Sequence, residues 1–173
     1  PLVKKCVTVD GSAVKNPMNV LVPIGMRMKD VFEATGGFKE EPKMVLYGGP
    51  MMGIAVPDLE QPVLKNTNAV LAMSEADAVL PEPTACIRCG RCIRHCPLRL
   101  MPSHIVAAYE AGDMERLAEL KVNLCMECGC CSFICPAHRP LVQTNKLAKA
   151  QVMAYKNALK AKAEAEKQKE AAK

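Results

Sequence analysis

Polar and apolar residues alternate over residues 2–9 (LVKKCVTV), where β-branched side chains predict a strand, and Asp10-Gly11 follows as a hairpin turn signal. A second strand is expected over residues 19–24. The spacing then changes: residues 28–35 form a short helix with Val31 and Phe32 inward, stopped by Gly36-Gly37. Strands return over residues 43–47 and 69–73, and residues 74–85, with Pro81 and Pro83, make a linker. Beyond it the periodicity is helical. Pro102 suits a first helical position, Ile105, Val106 and Tyr109 give a stripe, and Gly112 ends it. Asp113 caps a second helix with Met114, Leu117 and Leu120 inward. From Thr144 onward Ala148, Val152, Tyr155 and Leu159 share one helical face. After Ala161 only Ala, Lys, Glu and Gln remain, a composition of solvated helix or disorder.

Strand, strand, helix, strand is the element order of a β-grasp domain. The expected class is therefore α+β, with a β-grasp domain over residues 1–80, an all-helical domain over 81–143, and a C-terminal helix and tail over 144–173. A chain of 173 residues has room for two such cores. Cys6, inside the first strand, is expected as a small core residue. Gly48-Gly49-Pro50-Met51-Met52-Gly53 suits either a tight turn or a close backbone approach to a ligand. Neither a P-loop nor a G-x-G-x-x-G fingerprint occurs, and no hydride or hydrolytic site is legible. Nothing approaches eighteen consecutive apolar residues, so membrane association would come through partners. The first residue is Pro1, not Met, which fits a processed chain or an excised fragment with neighbours upstream.

Ten cysteines change the picture most, because eight of them form two copies of one pattern. Cys86, Cys89, Cys92 and Cys96 precede Pro97, and Cys125, Cys128, Cys131 and Cys135 precede Pro136. C-x2-C-x2-C-x3-C-P is the bacterial ferredoxin signature for a [4Fe-4S] cluster, in which the fourth cysteine ligates the other motif's cluster. The expected sets are Cys86, Cys89, Cys92 and Cys135 for one cluster, and Cys125, Cys128, Cys131 and Cys96 for the second. Each iron of a cubane needs one thiolate, and a tight loop with two-residue spacings supplies three while its N–H groups face the sulfides. The competing readings explain less. Disulfide frameworks belong to short secreted domains, and no signal-like segment is present. Zinc takes separated C-x2-C pairs and has no use for a third cysteine two residues on. Cys130, His95, His104 and His138 break the spacing and are expected not to be ligands. Reduced cysteines and clusters point to a reducing, cytosolic compartment.

The net charge of +5 is concentrated in Arg88, Arg91, Arg94 and Arg99, an interval with no acid between Glu82 and Glu110. With 3% aromatic residues and no recognisable module, nucleic acid is a poor partner. The arginines are better placed to balance anionic clusters or to dock an acidic protein.

A β-grasp order, then CIRCGRCIRHCP, a helical insert and CMECGCCSFICP, together with GGPMMG and the Ala/Lys/Glu-rich tail, resembles the C subunit of the Rnf (Rsx) electron transport complex. The resemblance covers nearly the whole chain. It implies a grasp module of the soluble-ligand-binding (SLBB) type and a helical ferredoxin domain with two [4Fe-4S] clusters. It also implies peripheral attachment, through other subunits, to the cytoplasmic face of a bacterial inner membrane, and electron exchange between NADH and ferredoxin coupled to ion movement. The NADH and FMN sites of that family lie in a domain that would precede residue 1. Two other readings remain at this stage: a cluster-bearing subunit of a soluble dehydrogenase or heterodisulfide-reductase-like enzyme, and a zinc-stabilised interaction module.

Overall fold

A computed structural model describes the backbone of residues 1–171 and side chains through residue 165. The expectation for the side chains of the last eight positions lies outside the described residues. The chain divides into two units, Pro1–Pro81 and Glu82–Lys173, each with its own core.

The first unit is a five-stranded mixed sheet holding one helix. Strands β1 (Lys4–Asp10) and β2 (Met18–Pro23) pair antiparallel, followed by α1 (Met28–Ala34), β3 (Met44–Tyr47), β4 (Ile54–Ala55) and β5 (Ala69–Met73). The sheet order is β2-β1-β5-β3-β4, with β1 and β5 parallel at the centre. Period-2 alternation sends Val7 and Val9 of β1 inward, and α1 lays Met28, Val31 and Phe32 on the same core at helical spacing. This is the β-grasp arrangement.

That alternation also overturns one expectation. Cys6 is exposed, opposite the exposed Leu21 in register, because its neighbours Val7 and Val9 take the inward positions. The Gly48–Gly53 stretch resolves as the hairpin turn between β3 and β4, closed by a bond from the Gly53 N–H to the Gly49 carbonyl at 2.7 Å. A Cβ on Gly53 would lie 2.5 Å from that same oxygen, so only glycine fits there. Strand β4 was not expected from the sequence pattern. Within the stretch expected as linker, residues Glu75–Ala78 form one helical turn, α2.

The second unit is helical: α3 (Arg91–Arg94), α4 (Pro102–Glu110), α5 (Met114–Glu119), a 3-10 turn at Val122–Leu124, α6 (Cys130–Phe133) and α7 (Leu141–Ala171). Pro102 occupies the first turn of α4, where its missing N–H is harmless, and the Asp113 carboxylate caps α5 by accepting from the Arg116 N–H at 2.8 Å. Helix α7 starts at Leu141, three residues before the expected position, because Leu141 and Val142 extend its buried stripe directly after Pro140. The stripe continues through Asn145, Ala148 and Val152, then runs out. Leu159 is exposed, contrary to expectation, since the helix there has passed the body it packs on. Ile105, Leu117, Val122, Ala148 and Val152 form one apolar cluster, and Cys92, Val106, Cys131, Leu141 and Val142 form another. No described helix is long and apolar enough to cross a membrane.

Candidate metal centre

The two cysteine motifs adopt one backbone path twice. Residues two positions after the first cysteine, Arg88 and Glu127, are left-handed at φ 55° and 61°. Next come left-handed glycines, Gly90 at φ 70° and Gly129 at φ 81°, each leading into a four-residue helix, α3 or α6, that carries the third cysteine. Three positions after the fourth cysteine, Arg99 and His138 are left-handed again, at φ 52° and 49°, and their N–H groups bond the carbonyls of Cys96 and Cys135 at 3.0 and 3.1 Å. A non-glycine left-handed residue costs about 1–2 kcal/mol. The same cost taken at the same places in both copies points to a loop shape held for its chemistry. Turns of alternating hand gather successive N–H groups into a concavity suited to an anion.

Two cavities result. The first, of about 530 Å³, is lined by Cys86, Cys89 and Cys92 of the first loop and by Cys135 of the second motif. The other is lined by Cys125, Cys128 and Cys131 together with Cys96 of the first motif. Each fourth cysteine thus crosses to the opposite loop. The two-residue spacing wraps three thiols around each cavity, while the helix-then-turn that follows carries the chain across to the other. All ten cysteines are free thiols. Among the described residues no three Cys, His, Asp or Glu side chains converge as the ligands of a single ion would. A cubane sets a different demand, because each thiolate binds its own iron.

The surroundings differ between the cavities. Arg88, Arg91, His104 and Arg139 rim the first, and Arg139 is held by Glu110 at 2.8 Å. The walls of the second are prolines, leucines, Met126 and Val142, with one polar side chain besides the cysteines among the described residues, Asn145. Burial pushes the Cys131 thiol up to about 12. The Leu100 N–H donates to Cys96 Sγ at 3.3 Å, and the Asn145 amide donates to Cys125 Sγ at 3.8 Å. Lys149 clamps the second loop from α7, donating to the Cys125 carbonyl at 2.9 Å and pairing with Glu127 at 3.0 Å.

Does this donor set fit an iron–sulfur cubane? At least four thiols in each cavity, carried by loops that can present N–H groups, match its needs. The first cavity has the space. The second, at about 20 Å³, is tighter.

Nine cysteines line the two cavities, and sequence spacing singled out eight of them. It missed Asn145 and Lys149, whose only signal is a polar residue interrupting the apolar stripe of α7 and a lysine one turn later. Cys130, expected not to be a ligand, also lines the second cavity; a hydrogen bond with Cys128, then burial, raise the Cys130 thiol above its ordinary value. His95 bonds the Arg91 carbonyl at 3.0 Å, and His138 is exposed.

Comparison with known proteins now adds to the geometry. Residues 6–55 match the SLBB domain family and residues 78–136 the 4Fe-4S dicluster domain family. The chain is 44% identical to the C subunit of the ion-translocating oxidoreductase complex of Methanosarcina acetivorans over 91% of its length, covering 35% of that protein. It is 40% identical to the protein of the same name from Rhodobacter capsulatus over 88% of its length, covering 29% of that protein. The chain is a homologue of these C subunits. A third relative, 36% identical over 90% of this chain and covered to 35%, is the C subunit of the Na(+)-translocating ferredoxin:NAD(+) oxidoreductase complex of Acetobacterium woodii. The chain spans about a third of the length of these relatives. The first unit accordingly carries the SLBB match, and the 4Fe-4S match spans both cysteine motifs.

Proposed function

We propose that this chain is the electron-transfer portion of an ion-translocating oxidoreductase C subunit, built to hold two [4Fe-4S] clusters. Cys86, Cys89, Cys92 and Cys135 ligate the first, and Cys125, Cys128, Cys131 and Cys96 the second. The observation that carries this reading is the crossed lining of the two cavities, in which each loop of three thiols receives its fourth from the other motif.

When bound, each cluster supplies one-electron redox chemistry. The residues do the rest. The crossed cysteines tie both loops into one unit and fix the distance between the sites. Val106, Leu141 and Val142, packed against Cys92 and Cys131, keep water from the buried thiolates. Arg88, Arg91, Arg94 and Arg139 offset the negative charge at the first site, and N–H donors do so at the second. The partners are other subunits of a membrane electron-transport complex, with the chain peripheral on the cytoplasmic face of a bacterial inner membrane.

Anaerobic purification tests the reading. A brown protein with about eight irons, bleached by dithionite, is expected; a colourless protein without iron would end it. The crossing is tested separately by cluster-specific EPR on Cys96→Ser and Cys135→Ser. Loss of the second signal in the Cys96 variant and of the first in the Cys135 variant is the expected result. If each variant loses its own motif's cluster, the ligand sets are wrong.

A further inference from the structure

Among the described residues of the second unit, Asn145 is the one buried polar side chain, 1% exposed within the apolar stripe of α7. Leucine or isoleucine would continue that stripe without a desolvation cost. The amide is instead only half satisfied: Nδ2 donates to Cys125 Sγ at 3.8 Å, and Oδ1 has no partner among the described residues. Leaving a buried carbonyl oxygen unpaired costs about 1–3 kcal/mol, so packing does not account for this residue. Nor does anchoring of the loop. Lys149, one turn further along α7, already holds the Cys125 carbonyl and the Glu127 carboxylate. What Asn145 adds is a bond to the sulfur, inside a cavity whose other described non-cysteine walls carry no polar side chain.

A thiolate ligand becomes more negative when its cluster gains an electron, so an N–H donor on that sulfur stabilises the reduced state more than the oxidised one. In a wall of prolines, leucines, Met126 and Val142 that donor is poorly screened and its effect is large. Among the described residues no asparagine or glutamine lines the first cavity, where the polar rim consists mostly of exposed charges.

Building on the two-cluster reading above, we propose that Asn145 is a positioning residue that raises the reduction potential of the second cluster alone. It does so through its amide N–H on the Cys125 thiolate, adding to the differences in charge and polarity between the two sites.

The test is an EPR-monitored redox titration of the anaerobic, iron-loaded full chain, with the second cluster's signal identified as the one a Cys125→Ser variant lacks. Asn145→Leu removes the donor while filling the stripe. Asn145→Asp keeps the shape, removes both N–H groups and adds charge. Both variants are expected to keep the wild-type iron content and the first cluster's midpoint. The second cluster's midpoint is expected to fall in both, and further in Asn145→Asp than in Asn145→Leu. An unchanged second midpoint overturns the proposal, as does an equal shift of both clusters, or loss of the second cluster from both variants, which would make Asn145 an assembly residue. A wild-type chain with about four irons instead of about eight would strike at the two-cluster reading itself and take this proposal with it.

Discussion

Arg88, Arg91 and Arg94 stand at positions where the second motif has Glu127, Cys130 and Phe133, so the repeated backbone carries opposite chemistry at its two sites. All three arginines are exposed, and water screening limits what they do to a neighbouring charge to roughly tens of millivolts in a one-electron couple. The sign follows from charge alone: cations favour the more negative, reduced state. Replacing all three with Gln is therefore expected to lower the midpoint potential of the first cluster and leave the second nearly in place, read by redox titration at low ionic strength. A rise or no change would show that the arginines serve something else, such as contact with an acidic partner. The eight cysteines of the two motifs were legible because metal-binding loops have a spacing that no packing requirement reproduces. Asn145 was not, because a single polar residue in a helical stripe looks the same whether it meets solvent or a sulfur. Cys6 was misplaced for a related reason: cysteine suits either face of a strand, and only the register of Val7 and Val9 decides which face is inward.

At the scale of elements, the strands and helices whose apolar residues bury in one continuous face were recognisable from period alone. Strand β5 (Ala69–Met73), which carries the buried Val70, Leu71 and Ala72, spans the residues expected for it. Strand β4 has two residues, both exposed, and therefore no period to detect; the turn Gly48–Gly53 creates it by folding the chain back on β3. The distal part of α7 is the opposite error, a periodic face whose Leu159 lies exposed. The difference has a measurable consequence. Ile105, fully buried between α4 and its neighbours, is expected to cost about 2–5 kcal/mol when truncated to Ala, through lost transfer energy and the cavity left behind. Leu159, 47% exposed, is expected to cost no more than about 0.5 kcal/mol on the same change. Anaerobic urea unfolding of the two variants compares them directly. Similar destabilisation by both would mean that the far end of α7 packs against something in the intact protein.

For the whole molecule, the disposition of the apolar cores matters more than the number of elements. Val7, Val22, Val31, Phe32, Val45 and Val70 belong to a core built wholly from the first unit, and the two apolar clusters of the second unit draw only on residues from Cys92 onward. Every cysteine lining the two cavities also lies after the unit boundary at Pro81. Stability of the sheet unit should therefore be independent of cluster assembly, whereas the helical unit needs it: its loops carry left-handed residues and closely set thiols, and incoming metal supplies the free energy to hold them. A chain of residues 82–173 is expected to take up the same iron as the full chain, about eight per molecule. Residues 1–81 alone should melt cooperatively, at a temperature that iron chelation does not move. The pairing of these two measurements makes the test sharp. If the isolated helical unit fails to load iron while the full chain loads it, the sheet unit is a structural requirement of the metal centre, and the role of the SLBB match would shift from a separate module to a chaperone of cluster assembly.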